Sequence, residues 1–286
     1  MKFLNSKRVL DNRDLFTSHV FKARSANCLR TKKEFIGAIN TVQRTAFSSE
    51  EFVKIEFDNG LITTFLSNNE VFEPEHLLAD KHITPKYARK EFEHSINRAI
   101  SIIQDVNPGL YQLLNSIIGT IAVYSIAERD GGSISNGIGL IWLSPQREWD
   151  EEYYGEMLIH ELIHNCIFLE DMVRGVMPNT DLLGIEDALS ISAIRQTRRP
   201  YDKAFHSACV VAGIMYYYFM LGKLEKASEY RASLLTTLDS LQISYERLRA
   251  KEQSVLSPNG YEILKELHDF SQAFDYSQIE KSLSFT

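Results

Sequence analysis

The residues best suited to chemistry are His160-Glu161-Leu162-Ile163-His164. On an α-helix, side chains four positions apart lie on one face, so two imidazoles at this spacing can reach a single metal ion at roughly 2.0 to 2.1 Å. Glu161 stands between them. In zinc peptidases a glutamate in this place activates metal-bound water as general base, so the spacing carries a mechanism as well as a pattern. The alternative is a pair of core histidines bonded to carbonyls or carboxylates. Met157, Leu158, Ile159, Leu162, Ile163, Cys166, Ile167 and Leu169 surround the pair, which predicts a largely buried helix whose imidazoles need partners. Cys166 falls about 200° around the helix from His164 and reads as core.

A metal centre that keeps positions open for chemistry needs a third protein ligand. The chain offers Glu170 or Asp171, Glu186 or Asp187, and His206. A glutamate on a later helix would complete a gluzincin-like set, a role that suits Glu186. No histidine follows the pair at metzincin spacing. His206 opens an apolar helix in which Ser207, Ala208, Ala212 and Gly213 would let another helix approach closely. Just before it stand Arg195, Arg198 and Arg199. They form either a solvated loop or a planar fork that holds a carboxylate in paired hydrogen bonds. A metal beside such a fork describes a site for a carboxylate-bearing cosubstrate.

The elements that must position these residues belong to a chain of 286 residues, 44% hydrophobic, enough for one catalytic domain with additions. A formal charge of -7 gives no electrostatic reason to expect nucleic acid. Cys28, Cys166 and Cys209 are three cysteines without paired spacing, and the first residues lack a signal-like apolar run, so a cytoplasmic, reducing setting is expected. Ala204 to Leu221 carries no charged residue, yet its scattered polar groups fit a helix buried on all sides better than a membrane span.

Periodicity predicts helices over Lys32 to Phe47, Lys86 to Val106, from Leu110 onward, Glu151 to Leu169, Leu224 to Leu256, and Tyr261 to Phe274. Phe52 to Phe57, the turn Asp58-Asn59-Gly60, and Leu61 to Leu66 read as a β-hairpin. Ile138 to Pro145 reads as a buried strand after a Gly- and Ser-rich loop. The expected fold is mainly α (α+β), with an N-terminal region 1–84 and a helical metal-binding region 85–286, or one continuous domain.

The chain also resembles the HExxH-containing peptide-modification proteins of bacterial peptide natural-product clusters, regarded as 2-oxoglutarate-dependent peptide β-hydroxylases. The likeness runs through Ala99 to Pro108, Gly137-Ile138-Gly139-Leu140, Leu158 to His164, Arg199-Pro200 and Phe205-His206, covering roughly Lys86 to Leu221. It implies Fe(II) held by His160, His164 and His206, 2-oxoglutarate held by an arginine near Arg199, and a peptide substrate hydroxylated at a side-chain β-carbon. Under that reading Glu161 orients a histidine or the substrate. A third histidine departs from the usual two histidines and one carboxylate, which keeps Glu186 open. The rival readings are a zinc metallopeptidase with Glu161 as base, and a helical binding protein with a structural metal.

Overall fold

The computed structural model describes residues 1–22, 31–77, 81–126 and 129–273. The fold is mainly α with a small sheet in the N-terminal half. Two compact units divide it: Ser6–Leu169, and Met1–Asn5 together with the chain from Glu170 onward. Cys28 lies outside the described residues.

The first unit contains α1 (Ser6–Val20), α2 (Lys32–Gln43), β1 (Lys54–Phe57), α3 (Gly60–Asn68), α4 (Pro74–Leu77), α5 (Lys86–Val106), α6 (Pro108–Ile117), β2 (Thr120–Val123), β3 (Gly131–Gly132) and β4 (Leu140–Leu143). It ends inside α7 (Glu151–Arg174). The sheet order is β1-β2-β4-β3; the first three strands are parallel and β3 is antiparallel. β2 and β4 are buried along their whole length, the pattern of parallel strands covered on both faces. Pairing Lys54 with Thr120 brings residues on both sides of position 84 into one sheet.

The expected hairpin over Phe52 to Leu66 is corrected here. Its first half is β1, but its second half is α3. Asn59 accepts hydrogen bonds from the amides of Leu61 and Ile62 and so caps a helix instead of turning a hairpin. Ile62 and Leu66, four apart, are the residues α3 buries. β1 finds its partner in β2, a strand where the sequence predicts only helix for the apolar run from Leu110 onward. That run is helical only to Ile117; at Gly119 a β-carbon would come within 2.4 Å of the Ser48 carbonyl, and the chain passes into β2. Gly139, at φ +94°, makes the corresponding entry to β4.

α5 has the expected bounds, while α2 stops at Gln43, with Arg44 in the left-handed region at φ 55°. α7 begins where its acidic first turn predicts, Asp150 Oδ1 accepting from the Tyr153 amide at 2.8 Å.

The second unit holds β5 (Ser190–Ile191), β6 (Arg198–Arg199), α8 (Tyr201–Met220), α9 (Leu224–Glu229), α10 (Arg231–Arg249) and α11 (Pro258–Ala273). β5 and β6 form an antiparallel pair. α8 is the core helix, packed by α9, α10 and α11. The helix expected over Leu224 to Leu256 is two helices meeting at Tyr230, and the second ends at Arg249. α11 starts three residues earlier than expected because Pro258 suits a first helical turn, where no amide donor is needed. Among the described residues, no helix is long and apolar enough to cross a membrane.

Candidate functional site

α7 is buried on nearly every side, as its composition requires, with one exception. From Tyr154 to Glu170, only His160, His164 and Phe168 keep partial exposure, a strip with a four-residue repeat. The His160 and His164 rings lie 5.1 Å apart between centroids at 50°, and Phe168 stacks on His164 at 6.0 Å and 19°. Two imidazoles thus share the one accessible line of this stretch of α7. His160 retains 21% side-chain exposure, yet the surrounding atoms desolvate it and push its pKa down to about 4. At neutral pH it is uncharged, the form that binds a metal.

Glu161 is 2% exposed. Its Oε1 lies 3.7 Å from His160 Nε2, and its Oε2 has no hydrogen-bond partner among the described residues. Burial pushes the carboxyl up to about 8, against an opposing pull from Ser133.

A buried amide that the sequence reading passed over holds this helix in place. Asn165 is fully buried; its Oδ1 accepts from the Gly139 amide at 2.8 Å, and its Nδ2 donates to the Glu161 carbonyl at 2.9 Å and to Ser133 Oγ at 3.0 Å. Ser133 Oγ also donates to the Glu161 carbonyl at 3.3 Å. One side chain therefore ties α7 to the entry of β4 and to the Gly- and Ser-rich loop. The signal was present in the sequence: Asn165 is a lone neutral amide four residues after Glu161, on a helix with no reason to bury one.

The remaining candidates lie in the second unit. His206 occupies the second turn of α8, not its opening, and is the only residue from Ala204 to Met215 that is not fully buried. Desolvation, followed by the Lys203 charge, lowers its pKa to about 4, with Asp202 and Asp171 opposing. Glu186 sits on a single helical turn with its side chain 76% exposed, and Arg198 donates to its carboxylate at 2.5 Å and to its carbonyl at 3.0 Å. Asp187 pairs with Lys251. Glu170 is buried and accepts from Asn259 Nδ2 at 2.9 Å, while Asp171 caps the Val176 and Met177 amides.

Of the three arginines, Arg198 is committed to Glu186, and Arg195 is exposed on the turn closed by the Ser192 amide and the Thr197 carbonyl. Arg199 is half-buried on β6 and has no ion-pair partner among the described residues. The structure thus brings His160, Glu161 and His164 together on one helix turn. His206, Glu186 and the arginines are positioned by the other unit. Among the described residues, no ready-made group of three or more His, Cys, Asp or Glu side chains is gathered for a metal ion. Compared with known proteins, the chain matches no family model and no curated protein.

Proposed function

We propose that this protein is an Fe(II)- and 2-oxoglutarate-dependent oxygenase that hydroxylates a side-chain β-carbon of a ribosomally made peptide. The observation that carries the metal is the accessible strip on α7, where two imidazoles, one of them held uncharged, line the partly exposed side of the stretch Tyr154 to Glu170. His160 and His164 would supply two ligands and His206 the third. Glu186 suits that role less, because its carboxylate is exposed and engaged by Arg198. When bound, iron with 2-oxoglutarate and dioxygen supplies the oxidising power to turn a C–H into a C–OH as the 2-oxo acid becomes succinate and carbon dioxide.

The chain's own residues do the rest. Arg199, half-buried and without an acidic partner among the described residues, would hold the distal carboxylate of 2-oxoglutarate. Glu161, with Oε2 unpaired among the described residues and Oε1 beside His160, would orient what binds there. Phe168 offers an apolar ring next to His164 that keeps water from one side.

One observation favours a second reading. Glu161 stands beside the nitrogen of His160, where the general base of a zinc peptidase belongs. Loading the protein with Fe(II) under anaerobic conditions, then adding 2-oxoglutarate, oxygen and a precursor peptide encoded beside its gene, separates the two. Succinate formed together with a single oxygen atom on the peptide supports the hydroxylase. Cleaved peptide without oxygen uptake overturns it in favour of hydrolysis.

A further inference from the structure

Glu186 and Arg198, both candidates from the sequence, line a cavity that the metal chemistry does not use. It is a groove of about 590 Å³ within the second unit, running between the β5–β6 pair and α10. Its apolar floor comes from Leu189, Ile191 and Ile243. Ile243 is 55% exposed, although the opposite face of α10 buries Leu234, Leu238, Leu241 and Leu248. Asp239 and Arg247 lie one helical turn to either side of Ile243, and neither has an ion-pair partner among the described residues. Arg198 and Glu186 neutralise each other, so Asp239 and Arg247 give the groove an acidic end and a basic end. Arg247 also acts on Asp187, but that carboxylate is taken by Lys251.

Hydrogen bonds tie the walls to each other. Ser240 Oγ accepts from the Ile191 amide at 2.9 Å, and Ser244 Oγ donates to the Leu189 carbonyl at 3.3 Å. These bonds occupy the Ile191 amide of β5 and the Leu189 carbonyl just before it, so a ligand here is read through side chains and not by strand addition.

We propose that this groove docks an extended peptide segment in which a basic and an acidic side chain flank an apolar one at alternate positions. The match is one of pitch. Four residues of helix advance about 6.0 Å, and two residues of extended chain advance about 6.6 Å. Side chains i, i+2 and i+4 of an extended peptide share one face. They therefore fall in step with Asp239, Ile243 and Arg247. The basic residue meets Asp239, the apolar residue rests on Ile243, and the acidic residue meets Arg247.

This inference goes beyond the hydroxylase reading and stands apart from it, because docking requires neither metal nor turnover. Its test is fluorescence anisotropy of the full chain with three labelled peptides: Lys-Ala-Leu-Ala-Glu, Lys-Ala-Leu-Ala-Lys and Glu-Ala-Leu-Ala-Glu. The wild-type protein should bind the mixed peptide about fivefold more tightly than either like-charged one, the scale set by exposed charge pairs. Arg247→Glu should move the preference to the peptide with two lysines, and Asp239→Arg to the peptide with two glutamates. Ile243→Ser should weaken all three. A switch of preference is a gain of binding, which a misfolded variant cannot imitate. Absence of binding, equal binding of the three peptides, or a ranking unchanged by the charge reversals overturns the proposal.

Discussion

α7 and α8 are the two most deeply buried helices that carry candidate ligands, and they are anchored differently. Within its buried middle each keeps partial exposure at histidine, His160 and His164 (with Phe168) on α7 and His206 on α8. α7 is fastened by Asn165, whose amide serves the Gly139 amide, the Glu161 carbonyl and Ser133 at once. α8 is held at Ser207, which accepts from the Ala193 amide at 2.9 Å, and at Tyr201, whose amide donates to the Leu183 carbonyl at 2.8 Å and whose hydroxyl donates to the Leu241 carbonyl at 3.3 Å. The difference teaches that on α7 one side chain in the histidine-bearing turns gathers three partners, whereas on α8 the bonds are divided between Tyr201 and Ser207. A helix that must aim several side chains tolerates less rotation than one that aims a single imidazole.

The largest effect should come from removing an imidazole. His164→Ala is expected to abolish stoichiometric Fe(II) binding in anaerobic calorimetry and to lower peptide hydroxylation by about a hundredfold or more. His206→Ala should do the same. If His206→Ala keeps full metal affinity while His164→Ala loses it, the two helices do not share a metal and the comparison breaks at its centre.

Next in size is the anchoring itself. Asn165→Leu leaves the buried Gly139 amide without its acceptor and should cost about 2 to 4 kcal/mol in urea unfolding. Ser207→Ala should cost only about 1 kcal/mol. Equal losses would show that α7 is no more firmly held than α8.

Among the arginines, Arg199→Ala should weaken 2-oxoglutarate about tenfold, the scale of a charge-assisted hydrogen bond. Arg198→Ala, which removes a largely exposed ion pair, should change it less than about twofold. The reverse order would move the cosubstrate to the Glu186 side of β6.

The smallest expected effect is the pH dependence of thermal stability in the metal-free protein. His160 and His206 have folded pKa values of about 4, below their usual 6.5, so the folded state binds fewer protons and stability rises with pH between those values. Glu161 is shifted the other way, from 4.5 to about 8, so its contribution is lost as pH rises through that window. Melting temperature should therefore climb to about pH 6.5 and fall beyond it. Glu161→Gln should remove the fall and leave the climb.

Much of this was readable beforehand because it is local. The bounds of α5, the start of α7 and the adjacency of His160 and His164 follow from helical periodicity and an acidic first turn, which depend on residues a few positions apart. The hairpin was misread because Leu61, Ile62, Phe65 and Leu66 satisfy both an extended and a helical pattern over so short a run, and Asn59 decided between them by capping. β2 was missed because an apolar stretch without alternation does not separate buried strand from buried helix.

The sequence by itself determined a mainly α chain in which two histidines one helical turn apart face the same way, since side-chain direction on a helix is set by backbone geometry. Only the tertiary structure decided the rest: that these histidines are the accessible strip of α7, that Asn165 fastens it, that Arg198 is engaged by Glu186 while Arg199 is not, and that β1 pairs with β2. Those outcomes rest on which distant groups exclude water from one another and which polar atoms they leave to pair. No local spacing encodes that.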